Sequence, residues 1–227
     1  MPLRFTRHDR TAVTEQDFAP DALVIAGWTG RDPAAVQHHI DELAALGVPA
    51  PSTVPLFYRV AAQQLTQGVA IEVVGGGSSG EVEPVLVAMA DGLWLGVGSD
   101  HTDRQAEAYS VALSKQLCPK PLGTALWRFE ELAGHWDMLV LRSYATWQGE
   151  QQLYQEGPVS SLRPPSELAE RFAGSGGLRP GTVMFCGTVP ARNGIHPAAL
   201  FEIELHDPIL GRTLRHRYEV RPLPAVS

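Results

Sequence analysis

The segment from Glu81 to Asp100 constrains this chain more than any other. It is almost wholly apolar, is broken once at Asp91-Gly92, and reads as two strands closed into a hairpin. Glu81 and Glu83 stand two apart in the first strand, so period-two alternation puts both on one face. With Asp91-Gly92 as a two-residue type I′ turn, Ala90 faces Leu93, and counting back sets Glu83 opposite Asp100. Opposed residues lie ~4.5–5.5 Å apart, so the carboxylates crowd one patch. No basic residue lies between Glu81 and Asp100 to relieve them. Carboxylates that close repel unless a proton or a cation neutralises them. A hard divalent cation takes such oxygen ligands and keeps waters that a substrate can displace. Pro84 cannot donate to a ladder and predicts an edge position or a bulge at that point. The competing reading leaves Glu81 and Glu83 on a solvated face and makes Asp100 the cap of a helix starting near Arg104.

A chain of 227 residues, 44% hydrophobic and 19% charged, fits one large domain over 1–227 better than two small ones. The formal net charge of −7 argues against nucleic acid and anionic membrane as main partners. No apolar run reaches the ~18 residues of a membrane span. The first residues, MPLRFTRHDRTAV, lack the apolar core of a signal peptide. Cys118 and Cys186 form no C-x-x-C pair and are expected to be reduced thiols in a cytoplasmic protein.

Strands are predicted at Leu23 to Trp28, Leu56 to Val60, Ala70 to Val74, Glu81 to Met89, Leu93 to Val97, Met138 to Trp147, Thr182 to Cys186, Leu200 to Leu205 and Thr213 to Val220. Asp32-Pro33 opens a helix whose apolar stripe is Val36, Ile40 and Leu43 and which ends at Gly47. Further helices are expected over Arg104 to Lys115 and Pro165 to Phe172, and an exposed loop over Ser160 to Pro165. This is an α+β pattern dominated by antiparallel or mixed sheet.

Three further motifs bear on function. Gly75, Gly77 and Gly80 spell G-x-G-x-x-G, but a strand follows where a dinucleotide site needs a helix N-terminus, so the stretch is expected to be a flexible loop near the rim of the site. Glu202 and Glu204 repeat the Glu-x-Glu pattern, with Arg212, Arg215 and Arg217 on the next strand to pair with them at the surface. His39 and Glu42, three apart on the first helix, can form a water-activating pair or an exposed helical pair, and His38 competes with His39 for the role.

The order of these features resembles the fumarylacetoacetate hydrolase superfamily in its catalytic-domain form. The matching motifs are His39-x-x-Glu42, the Pro-rich stretch and strand from Pro51 to Val60, Glu81-x-Glu83, Asp100 with Arg104, Lys115 with Cys118-Pro119, and the turn from Pro180 through Gly187-Thr188 to Pro190. The resemblance covers about residues 22 to 222 and leaves 1–21 as an N-terminal extension. It implies a β-rich α+β fold, a curled mixed-sheet roll, usually as a homodimer. It also implies an Mg²⁺ or Mn²⁺ enzyme, a hydrolase or decarboxylase cleaving a C–C bond in a small β-keto or 1,3-diketo acid through an enolate. An isomerase or hydratase of a related oxo-acid, or a non-catalytic binding protein, is the alternative. Metal ligands would be Glu81, Glu83 and Asp100; catalytic groups His39, Glu42 and Lys115; substrate-binding groups Arg104, Gly187 and Thr188. Lys120 shares the neighbourhood of the family's lysine, and the Cys-Pro after Lys115 favours Lys115.

Overall fold

The computed structural model describes residues 2–45 and 50–226, including every side chain there except those of His39 and Leu43. The expected helix end at Gly47 lies outside the described residues. Chain order is β1 (Leu3–His8), β2 (Val13–Phe18), β3 (Ala22–Gly27), α1 (Pro33–Ala45), β4 (Leu56–Val60), β5 (Leu65–Thr66), β6 (Ala70–Val74), β7 (Ser78–Ser79), β8 (Val82–Met89), β9 (Gly92–Ser99), β10 (Thr102–Asp103), α2 (Arg104–Glu107) and α3 (Val111–Leu117). It continues with β11 (Lys120–Pro121), β12 (Ala125–Arg128), β13 (Val140–Trp147), β14 (Glu150–Pro158), α4 (Pro165–Ala173), β15 (Thr182–Phe185), β16 (Leu200–Asp207) and β17 (Arg212–Leu223). Among the described residues no helix is long and apolar enough to cross a membrane.

Eight strands form one mixed sheet in the order β2-β1-β12-β9-β8-β15-β3-β4, and five form a second, β14-β13-β16-β17-β6. Both are open among the described residues, each with two edge strands, so the expectation is met as a strand-rich, mixed-sheet fold and not as a closed roll. One apolar cluster joins Val82, Leu86 and Leu95 of the large sheet to Leu141, Ile203 and Leu205 of the second. The opposite face of the large sheet packs Val85, Val87, Phe5, Leu23, Ile25 and Phe185. Strand β8, flanked by β9 and β15 and packed on both faces, is buried at every position. That is why its apolar sequence runs on without the polar alternation of a half-solvated strand.

The β8–β9 hairpin forms with a register two residues away from the one predicted. Met89 pairs with Gly92, Glu83 with Gly98 and Val82 with Ser99. Asp100 lies opposite Glu81, its N–H donating to the Glu81 carbonyl at 3.0 Å. The turn is Ala90-Asp91, with Gly92 at φ 124° opening the return strand. Asp91 is held there by Arg7 Nη1 at 2.7 Å and Trp94 Nε1 at 3.1 Å. A two-residue displacement keeps the parity of the strand, so Glu81, Glu83 and Asp100 still share one face; a one-residue slip would have separated them.

Pro84 sits in this central strand, neither at an edge nor in a bulge, because the β8–β9 pairing runs unbroken through it. The neighbour β15 stops at Phe185, and Cys186 N–H donates to the Pro84 carbonyl at 3.0 Å without a return bond. The strand therefore ends where the proline has no donor to give.

Other differences are local. The helix expected over Arg104 to Lys115 is two, α2 and α3, because Ser110 caps the second by accepting from Leu113 N–H at 3.3 Å. The first strand of the Met138 to Trp147 expectation begins at Val140, after a 3₁₀ turn over Trp136–Met138. Residues 1–21, expected as an extension, contribute β1 and β2; β1 pairs in parallel with β12, and Phe5 is fully buried. Within the expected exposed loop Leu162 and Pro165 are buried. The glycine-rich stretch contains buried Ser78 and Ser79, paired antiparallel with Asp103 and Thr102, and leads into a strand as expected. Both cysteines are free and buried.

Leu86, fully buried between the two sheets, supplies a direct check of this packing. Leu86→Ala is expected to lower unfolding free energy by about 2–5 kcal/mol in urea titration, whereas Val13→Ala on the exposed β2 edge should change it by less than about 0.5 kcal/mol.

Candidate metal centre

Glu81 stands just before β8, Glu83 inside it and Asp100 just after β9. A carboxylate oxygen from each lies within 4.8 Å of the others. Glu83 and Asp100 are buried, at 2% and 0% exposure, so their charges cannot be neutralised by bulk water. The donor set is all oxygen, which suits a hard divalent cation. Asp100 Oδ1 is buried and lacks a hydrogen-bond partner, leaving a lone pair for a metal ion. The three residues therefore fit a divalent ion.

Three cations surround the carboxylates. Lys115, from α3, donates to Asp100 Oδ2. Lys120, from β11, is 3.0 Å from Asp100 Oδ1 without hydrogen-bond geometry and donates to the His101 carbonyl. Arg104 Nη2 is 3.0 Å from Glu81 Oε1, while Nη1 reaches Glu107 at 2.8 Å and Nε reaches Ser79 Oγ at 2.7 Å. Burial raises the Glu83 carboxyl well above the ordinary glutamate range, and Asp100 and Glu81 add to the rise. Burial acts the same way on Asp100, but Lys115 and Lys120 outweigh it and hold that carboxyl at about 2. Burial disfavours the charge on Lys115, yet Asp100, Glu81 and Glu83 raise it above the usual lysine range. Lys120 is lowered, by burial first and by Lys115. Both lysines reach Asp100, Lys115 at Oδ2 and Lys120 at Oδ1.

Gly187 and Thr188 follow β15 at the same end of the sheet. Gly187 N–H donates to Glu83 Oε2 at 2.7 Å. Its φ of 97° and the Thr29 hydroxyl, which would stand 1.7 Å from an added Cβ, require glycine here. Thr188 Oγ1 donates to the Val82 carbonyl at 2.7 Å and accepts from Gln155 Nε2 at 2.8 Å. Gln155, a buried residue of β14, also accepts from Val82 N–H at 3.0 Å and Ser143 Oγ at 2.9 Å, so it ties the start of β8 to the Thr188 turn. Ser99 Oγ accepts from Glu81 N–H at 3.1 Å and meets Tyr218 Oη at 2.8 Å. Sequence reasoning missed Gln155, Ser79, Ser99 and Tyr218. Nothing in their local pattern distinguishes them; they converge only through strand pairing.

The His39 side chain lies outside the described residues, and Glu42 is exposed on α1, 3.5 Å from His38 Nδ1. The second Glu-x-Glu behaves as the arginines predicted: Glu204 is 2.7 Å from Arg215 and Glu202 3.8 Å from Arg217, across the β16–β17 ladder. Arg212 pairs instead with Asp207 at 3.3 Å.

The model of a family described as protein of unknown function, DUF2848, matches residues 26–218. The chain belongs to the DUF2848 family. No curated protein matches it. Among solved structures, Cg1458 with inhibitor has a TM-score of 0.65 at 19% identity, over 93% of this chain and 81% of that one. A hexagonal form of 2-keto-3-deoxyarabinonate dehydratase gives 0.63 at 16%, over 95% and 79%. The 2-keto-3-deoxy-D-arabinonate dehydratase complexed with magnesium and 2,5-dioxopentanoate gives 0.61 at 16%, over the same 95% and 79%. At these identities the likeness is one of fold, and this DUF2848 chain shares the strand-rich architecture of those proteins.

Removing any carboxylate should remove the ion. Glu81→Ala, Glu83→Ala and Asp100→Ala are each expected to abolish calorimetrically detected Mn²⁺ binding with the circular dichroism spectrum retained, while Glu202→Ala and Glu204→Ala bind as the unmodified protein does. Unchanged affinity in all three triad variants would remove the site.

Proposed function

We propose that this chain is a magnesium- or manganese-dependent enzyme acting on a small oxo-acid, and that it belongs with the fumarylacetoacetate hydrolase superfamily as one domain over 1–227. The observation that carries the proposal is the buried carboxylate triad ringed by Lys115, Lys120 and Arg104. The magnesium and 2,5-dioxopentanoate bound by a dehydratase of the same fold support it. Glu81, Glu83 and Asp100 would hold the ion, which supplies a Lewis acid for the carbonyl of the oxo-acid.

The chain's own groups supply the rest. Lys115 and Lys120 put two ammonium groups beside buried Asp100, where fixed charge stabilises a developing oxyanion far better than in water. Arg104 is fixed by Glu81, Glu107 and Ser79, which aims a guanidinium at the edge of the triad for a substrate carboxylate. Gly187 secures Glu83. The Thr188 hydroxyl has one proton and donates it to Val82, so within this reading Gly187 and Thr188 hold the ligand strand, and Arg104 and the lysines meet the substrate.

Cleavage of a C–C bond in a β-keto or 1,3-diketo acid, by hydrolysis or decarboxylation, is the first reaction class. It leaves an enolate that these cations accommodate. Dehydration or isomerisation of a related oxo-acid is the second reading, supported by the dehydratase of the same fold that binds magnesium and 2,5-dioxopentanoate; a hydrolase would in addition need a water-activating base. A homodimer and a cytoplasmic location complete the proposal.

Lys115→Met is expected to lower kcat by about 10²–10³-fold on a substrate found by metal-dependent thermal shift against oxo-acids. A change below about three-fold in both Lys115→Met and Lys120→Met would defeat the oxyanion role. For the hydrolytic class, a neutral imidazole must take a proton from water, so turnover should fall as pH drops through its pKa. In His39→Asn that acidic limb should vanish, with turnover down by about 10²-fold or more. Superimposable pH–rate profiles would instead select the non-hydrolytic class.

A further inference from the structure

Two lysines face Asp100, but they are differently placed. Lys120 is fully buried and is held at two points, the Asp100 carboxylate and the His101 carbonyl. Lys115 comes from the short helix α3, whose neighbours Leu113 and Leu117 are exposed, and its ammonium has Asp100 Oδ2 as its hydrogen-bond acceptor. The charge of Lys115 is also stabilised by Glu81 and Glu83, so it answers to the whole triad. Lys120 is placed against Asp100 Oδ1, at 3.0 Å, and the His101 carbonyl.

We infer that the Lys115 ammonium and a divalent cation compete for the Glu81, Glu83 and Asp100 carboxylates, so that Lys115 sets the metal affinity of the site. The inference rests on the metal reading above and deepens it. Two cations cannot both lie against the same few buried oxygens without repelling each other in a poorly screened site. The one that can move is Lys115, a point charge on a flexible four-carbon stem. The Tyr58 ring, 5.7 Å from its Nζ, offers a cation-accepting face beside the carboxylates. Lys120, pinned to the backbone of His101, stays and keeps Asp100 oriented. Binding of the metal then turns Lys115 from a partner of Asp100 into a cation free for a substrate oxyanion. Ion loading and substrate recognition are thereby linked through one side chain.

The test is a calorimetric titration of Mn²⁺ into the unmodified protein, Lys115→Met, Lys115→Gln and Lys115→Arg, with folding checked by circular dichroism. Lys115→Met is expected to bind Mn²⁺ at least about ten-fold tighter than the unmodified protein, within the usual range of coupling between sites. Lys115→Gln should do the same while retaining a hydrogen-bond donor, and decides the matter if the methionine variant fails to fold. Lys115→Arg, which keeps the charge, should stay near the unmodified affinity. Equal or weaker Mn²⁺ binding in the neutral variants overturns the competition while leaving the metal site intact. No Mn²⁺ binding by any of the folded proteins overturns the metal reading together with it.

Discussion

Charge buried in a sheet is the constraint to which the rest of this molecule answers. Glu83 stands in a strand that is buried along its whole length, and Asp100 is shielded completely at the end of the next. A buried carboxylate without a partner costs several kcal/mol, about 3–5 when one member of a pair is deleted. Here the compensation is spread over Lys115, Lys120 and the Gly187 N–H, with Arg104 serving Glu81. A segment that carries one of these partners must therefore reach the same end of the hairpin. Much of the irregular chain between β9 and β12, and the turn after β15, is disposed to do this.

The large sheet supplies the rigidity that such a site needs. Its β8–β9 hairpin is clamped by apolar packing on both faces, and Gln155 reaches across from the second sheet to fix Val82 and Thr188 together. Beneath the carboxylates, Ser99, Tyr218, His101 and Ser78 form a buried hydrogen-bonded chain from Glu81 N–H inward. Burial, with Lys120 and Arg104 nearby, drops the His101 pKa to about 3, so this chain adds no further positive charge near the triad. Ser99 thus holds the Glu81 backbone, the Gly187 N–H holds Glu83 and Lys115 holds Asp100, contacts of the kind that fix ligand geometry.

The DUF2848 match gives the family, and the solved structures give the fold. Function on a shared fold resides in the site. In this chain that site is the set of carboxylate oxygens and cations that converge at the end of β8 and β9.

What the amino-acid sequence alone determined was the face. Glu81 and Glu83 two apart in an apolar run, and a single turn signal before Asp100, are enough to bring three carboxylates together, because strand alternation has a period of two and tolerates an even register shift. It also distinguished Glu202 and Glu204, whose arginine partners lie on the adjacent strand. Tertiary structure decided the register, since Arg7, far away in the chain, anchors Asp91 beside the hairpin's own Trp94. It decided that Pro84 can occupy a central strand, because β15 happens to end beside it. It brought β1 and β2 into the large sheet and both lysines onto Asp100. These outcomes depend on contacts between residues distant in sequence, and no local spacing encodes which buried charge a distant cation will meet.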